Sequence, residues 1–263
     1  MKKQEFLPGR RDFLQAAAAG IPLSLLGTDA IASAEKEDLV ADASRPLRIV
    51  CVGAHPDDPE SGCGGALARY AAAGHAVTVI YLTRGEAGIP GKSHEEAAAI
   101  RTVEAEAACQ ILGAKPVFAG QIDGATEVTH KTADALAKLL TEEKPDVVFT
   151  HWPIDTHFDH QAASMLTIRA YLAARPRWLL YFFEVNSGSQ TLGFMPTAYV
   201  DITATRDKKK QALFAHRSQG GERIYRDHHE VMETFRGREL GVTAAEAFVS
   251  LARDSRGGRM PGL

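Results

Sequence analysis

The 263-residue sequence predicts an α/β protein, a three-layer Rossmann-like fold around a mostly parallel central sheet. Three observations predict it. Short apolar runs alternate with longer stretches of helical spacing, and the connections between them are brief. The composition, 45% hydrophobic and 24% charged, is that of a globular domain with a core to fill. Such alternation implies right-handed crossovers and a sheet covered on both faces.

Taken in order, residues 47–54 (LRIVCVGA) read as a buried strand, and 61–73 as a helix whose small residues pack close to a sheet. A second strand spans 76–83, and an alanine-rich helix spans 94–112, ended by Gly113. A short third strand follows at 116–119, then a helix at 132–143, a strand at 146–152 and a helix at 160–174. Later strands are expected at 178–185 and 198–202, and a closing helix at 203–216. The segment 220–263 is rich in arginine and glutamate and is expected to be a helical cover over the sheet or an oligomer contact. Sites in such sheets gather beyond the carboxyl ends of the strands. The loops 54–60, 84–91 and 151–160 should therefore converge on one rim.

Ahead of this domain, Arg10-Arg11, a mildly apolar stretch at 16–26 and Ala32-Ser33-Ala34 have the layout of a secretory signal. The paired arginines resemble the twin-arginine type. Residues 1–34 are expected to be that signal, 35–46 a polar linker and 47–263 the domain, exported to the periplasm or beyond. No stretch of the body has the ~18 apolar residues needed to span a bilayer. A net charge of −3 and a pI near 6.4 leave no footprint for nucleic acid. Lys208-Lys209-Lys210 reads as a solvated helix face. Cys51, Cys63 and Cys109 have neither metal nor disulfide spacing and are expected to be buried and free. No G-x-S-x-G elbow is present.

The chemistry concentrates in two segments. AHPDDPE, from Ala54 to Glu60, puts adjacent aspartates at a strand end, where burial is costly without a cation. The loop His151–His160 carries three of the ten histidines, with His157 and His160 three residues apart. Histidines and carboxylates from two strand ends make the donor set of a catalytic zinc site, with one position left for water.

These residues also resemble a known family. AHPDDPE with Gly64-Gly65 behind it, the His157–His160 pair, His216-Arg217-Ser218-Gln219 and Thr83-Arg84-Gly85-Glu86-Ala87-Gly88 are similar, in order, to motifs of the PIG-L/LmbE-like deacetylases. The resemblance implies that His55, Asp58 and His160 hold Zn2+, or another divalent ion, and that Asp57 stays off the metal. Asp57 is then the base, and His157 helps to stabilise the oxyanion. A coordinated carboxylate has its lone pairs engaged, which favours its neighbour as base. Arg84 is expected either to contact substrate or to pair with Glu86 or Glu95, and His216 either to reach the rim or to cap a helix. Glu60 caps a helix or supports the site by a hydrogen bond, and His151 is expected either on the surface or in a loop or, from its strand end, to support the metal ligands. His75, His94, His130, His228 and His229 are expected on the surface or in loops. Gly62, Gly64 and Gly65 do not match G-x-G-x-x-G and are assigned to tight packing.

The expected function is zinc-dependent removal of an N-acetyl group from an N-acetylglucosamine-type sugar. The alternatives are a zinc amidase for a non-sugar amide, and an exported carbohydrate- or metal-binding protein without turnover.

Overall fold

The computed structural model describes residues 45–174, 178–251 and 260–263. The expected signal at 1–34 lies outside the described residues. Seven strands form one sheet: β1 (Arg48–Gly53), β2 (Ala76–Tyr81), β3 (Lys115–Phe118), β4 (Val147–His151), β5 (Leu179–Phe183), β6 (Ala198–Asp201) and β7 (Ala245–Ser250). Their order is β3-β2-β1-β4-β5-β7-β6. The first five run parallel, with Val50 of β1 opposite Thr78 on one side and Val148 on the other. The predicted α/β architecture is therefore the observed one.

Side-chain alternation along the strands divides the core in two. Ile49 and Cys51 face a cluster with Leu67, Tyr70, Ala105, Cys109 and Ala212, drawn from α1 (Asp58–Ala72), α2 (His94–Leu112) and α5 (Arg206–Ala215). Val50 and Val52 face Leu136, Leu140, Ala163 and Leu166, from α3 (His130–Glu143) and α4 (Phe158–Ala173). Each fully buried leucine or phenylalanine of this kind stabilises the fold by about 1.5–3 kcal/mol before entropy is set against it. α2 ends as expected, with Gly113 in the left-handed region at φ 77°. Gly62 and Gly65 serve packing: a Cβ at Gly62 would strike the Phe183 ring, and one at Gly65 would come within 2.7 Å of Ile202. Cys51, Cys63 and Cys109 are free and buried.

The C-terminal segment departs from the expectation of a cover. After α6 (Glu230–Leu240), β7 enters the sheet between β5 and β6, antiparallel to both. It is an internal strand, and its short run Ala-Glu-Ala-Phe-Val-Ser hides that in the sequence because a glutamate interrupts it. That Glu246 is buried, accepts from the Gly65 and Ala66 amides at 2.9 and 2.7 Å, and binds Lys209 at 2.7 Å. Lys209 is thus no part of a solvated face; it is a buried cation shared with Glu233 at 3.6 Å. No helix among the described residues is long and apolar enough to cross a membrane.

Candidate active site

The loop that follows β1 turns on Asp57, whose φ of 105° lies where non-glycine residues are strained by about 1–3 kcal/mol. α1 starts at Asp58, three residues before its predicted start. The Glu60 carboxylate accepts from the Asp57 amide at 3.2 Å and Pro59 fits the first turn, so the helix begins inside the motif. This turn sends the two aspartates to different partners. Asp58 faces histidines and Asp57 faces Arg101.

Around Asp58, the Nδ1 of His55 lies 3.1 Å from one carboxylate oxygen and the Nε2 of His160 lies 3.3 Å from the other. The two imidazole centroids are 5.4 Å apart. Donors on a tetrahedral ion with bonds of about 2 Å sit roughly 3.3 Å from one another, so each of these two pairs has the spacing of neighbouring ligands. Three overlapping donor sets within 4.8 Å occur among the described residues: His55, His157 and His160; Asp58, His151 and His160; His55, Asp123 and Asp159. Hydrogen bonding sorts them. The Nε2 of His55 meets Asp159 at 3.0 Å and Asp123 at 3.1 Å, so it is the protonated nitrogen and leaves Nδ1 as the lone-pair donor. His160 likewise turns Nδ1 to Asp155 at 3.1 Å and leaves Nε2 toward Asp58. His151 accepts the Ala54 amide on Nε2 at 3.0 Å, which occupies that lone pair. Burial and the neighbouring His160 push it down to about 4, so it is neutral. It supports the loop from below.

His157 is the N-cap of α4, and its Nδ1 accepts from the Asp159 amide at 3.2 Å. The remaining Nε2 therefore carries the proton. Burial, with His55 and His160 nearby, holds this imidazole below its ordinary range and neutral. In the absence of a cation, burial opposes protonation of His55 and His160, yet their carboxylate neighbours prevail. His55 is held well above the usual range and His160 is raised to about 9.

Three outer carboxylates were missed from sequence. Asp159 is fixed by the Thr126 hydroxyl at 2.6 Å and the Gly124 amide at 2.8 Å. Asp155 is fixed by the His157 amide at 2.8 Å and the Thr191 hydroxyl at 3.1 Å. Asp123 lies in the loop after β3, which the strand-end rule would have added to the rim. Arg101 was missed too. It is 3% exposed, donates to the Pro56 carbonyl, and lies 3.1 Å from the Asp57 carboxylate. Its signal was its position on the apolar stripe Ala97, Arg101, Ala105, Ala108 of α2. Burial lifts Asp57 to about 6 even against the Arg101 charge.

Two residues singled out in the sequence stand away from the rim. Arg84 is exposed, stacks on the Phe118 ring at 4.8 Å and does not line the cavity, so the guanidinium at the site is that of Arg101. His216 is fully buried, with Nε2 3.3 Å from Glu60, whose carboxylate also accepts the Tyr81 hydroxyl. It is the C-cap of α5, the capping role expected as the alternative to the rim, and it does not line the cavity. In the segment 217–219 that follows, Ser218 binds Glu104 through amide and hydroxyl at 2.7 and 2.6 Å, and Gln219 reaches the cavity.

The three predicted loops do meet. A cavity of about 540 Å³ is lined by His55, Asp57, Asp58, His157 and His160, with Ala87 and Gly88 from the loop after β2. Asp123 and Gly124 extend it on one side, and Asn186 and Gln190 on another. His228 and His229, expected on the surface or in loops, also line it, although His229 is only 3% exposed.

The chain matches the family described as PIG-L, GlcNAc-PI de-N-acetylase, over residues 50–171. It is 29% identical over 194 residues to the diacetylchitobiose deacetylase of Thermococcus kodakarensis, covering 68% of this chain and 72% of that one. It is 28% identical over 221 residues to the 4-oxalmesaconate hydratase of Pseudomonas putida, covering 75% and 84%. A conserved protein of Thermus thermophilus superposes with a TM-score of 0.70 at 33% identity, covering 79% of this chain and 96% of that chain.

Proposed function

Because the chain belongs to the PIG-L family, we propose that it is a metal-dependent hydrolase that removes the acetyl group from an N-acetylated amino sugar. The observation that carries this reading is Asp57, a carboxylate on the cavity wall paired with Arg101 and left out of the donor set. A binding protein has no use for a strained, unliganded base beside a metal site.

His55, Asp58 and His160 would hold the ion, and zinc suits two imidazoles with one carboxylate. When bound, such an ion supplies Lewis acidity toward a carbonyl and lowers the pKa of water to roughly 7. The chain's own groups do the rest. Asp57 takes a proton from the attacking water as its oxygen bonds to the acetamide carbon. The Nε2–H of His157 donates to the oxygen on which negative charge grows. The proton held by Asp57 passes to the nitrogen as the carbon–nitrogen bond breaks, giving acetate and a free amine. Arg101 holds Asp57 in its left-handed turn, and Asp159, Asp123 and Asp155 hold the imidazoles in the tautomers described.

The hydratase relative favours a second reading, in which the same base delivers water to a conjugated double bond. Incubation of purified protein with N-acetylglucosamine and its conjugates separates the two, since only amide hydrolysis liberates a primary amine. Amine release that is abolished by a chelator and restored by zinc supports the deacetylase. No release with any N-acetylated sugar refutes it. We further propose export by a twin-arginine-type signal at 1–34; fractionation of cells carrying Arg10→Lys/Arg11→Lys tests it, and unchanged export would rule it out.

A further inference from the structure

The segment carrying His228 and His229 lies beyond residues 50–171, over which the family match runs. It winds as a π-helical turn, Tyr225–His229, between a short α turn and α6. Wide turns of this kind recur at functional sites because the extra residue redirects the side chains that follow. Here the result is a histidine, His229, on the wall of the cavity that the metal-binding loop also lines, 3% exposed. Among the described residues its ring nitrogens make no hydrogen bond, yet they are not among the side-chain atoms shut away from solvent without a partner, so the imidazole is open to the cavity. An imidazole that no protein group engages is free to bond a polar group that enters the cavity. Burial and the Lys209 charge hold this imidazole well below its ordinary range, which leaves it neutral with one donor and one acceptor.

We propose that His229 is a specificity-determining residue that hydrogen-bonds a hydroxyl of the sugar whose acetamide is cleaved at the metal-binding loop. A neutral imidazole suits a hydroxyl, which offers and takes one bond in turn. The proposal rests on the deacetylase reading and locates the sugar ring between β1's loop and the π turn.

Steady-state kinetics on N-acetylglucosamine conjugates test it. His229→Phe removes both nitrogens at similar volume and is expected to raise KM roughly five- to tenfold, the worth of one hydrogen bond, with kcat and metal content retained. His229→Gln, which keeps a donor and an acceptor, should recover most of the loss. Arg226→Ala, on the exposed side of the same turn, should leave KM unchanged. An unaltered KM in His229→Phe overturns the proposal, as does a fall in kcat with loss of metal, which would mark a structural role. If the wild type releases no amine, the deacetylase reading has failed, and calorimetry with glucosamine still judges His229. Affinity roughly fivefold weaker in Asp57→Asn/His229→Phe than in Asp57→Asn supports it. Equal affinity, or no binding by either, overturns it.

Discussion

Asp57 and Asp58 share a peptide bond and differ in every surrounding that sets their chemistry. Asp58 lies among imidazoles, which hold its carboxyl well below the usual range despite burial, whereas Asp57 is lifted to about 6. Asp57→Asn is therefore expected to retain full metal content and lose about 10²–10⁴ of the turnover rate, measured by metal analysis beside amine release. Loss of the metal would instead place Asp57 among the ligands. A cation bound beside Asp57 can only lower its pKa, so the acidic limb of kcat/KM should lie at or below pH 6. Arg101→Met removes the charge that opposes protonation, so that limb should move to higher pH. A limb that stays in place in this variant would deny Arg101 its role.

At the scale of elements, the site depends on how β7 holds α1. Glu246 satisfies two amides at the kink after Cys63 and neutralises Lys209, so one side chain binds strand, helix start and α5 together. Glu246→Ala leaves Lys209 buried with Glu233 alone at 3.6 Å. It should cost about 3–5 kcal/mol in denaturant unfolding. A cost below 1 kcal/mol would mean that water or Glu233 compensates. Gly65→Ala, which forces a Cβ against Ile202 of the turn after β6, should cost about 1–3 kcal/mol by the same measurement.

For the whole molecule, cation binding and proton binding compete. His160 is raised to about 9 in the metal-free protein, above its unfolded value near 6.5. Its contribution to stability is then complete below pH 6.5 and is lost as pH rises toward 9. Metal uptake requires the deprotonated imidazoles, so zinc affinity should rise across this interval with release of protons. Thermal melts with zinc and with chelator should diverge as pH increases from 6.5 to 9. Parallel curves would exclude His160 as a ligand.

The amino-acid order alone determined the alternation that builds a parallel sheet, because burial patterns and turn residues are local. It also brought forward the residues proposed as metal donors and base, since His55, Asp57 and Asp58 lie within one loop and His157 and His160 within another. Tertiary structure decided what the sequence left open. Arg101 meets Asp57 across 44 residues, and Asp159 meets His55 across 104. Glu246 meets Gly65 across 181, and His229 reaches the cavity through a π turn. No local pattern encodes such contacts. A charge on a helix face or within a strand reads as solvated until the chain folds and gives it a buried partner.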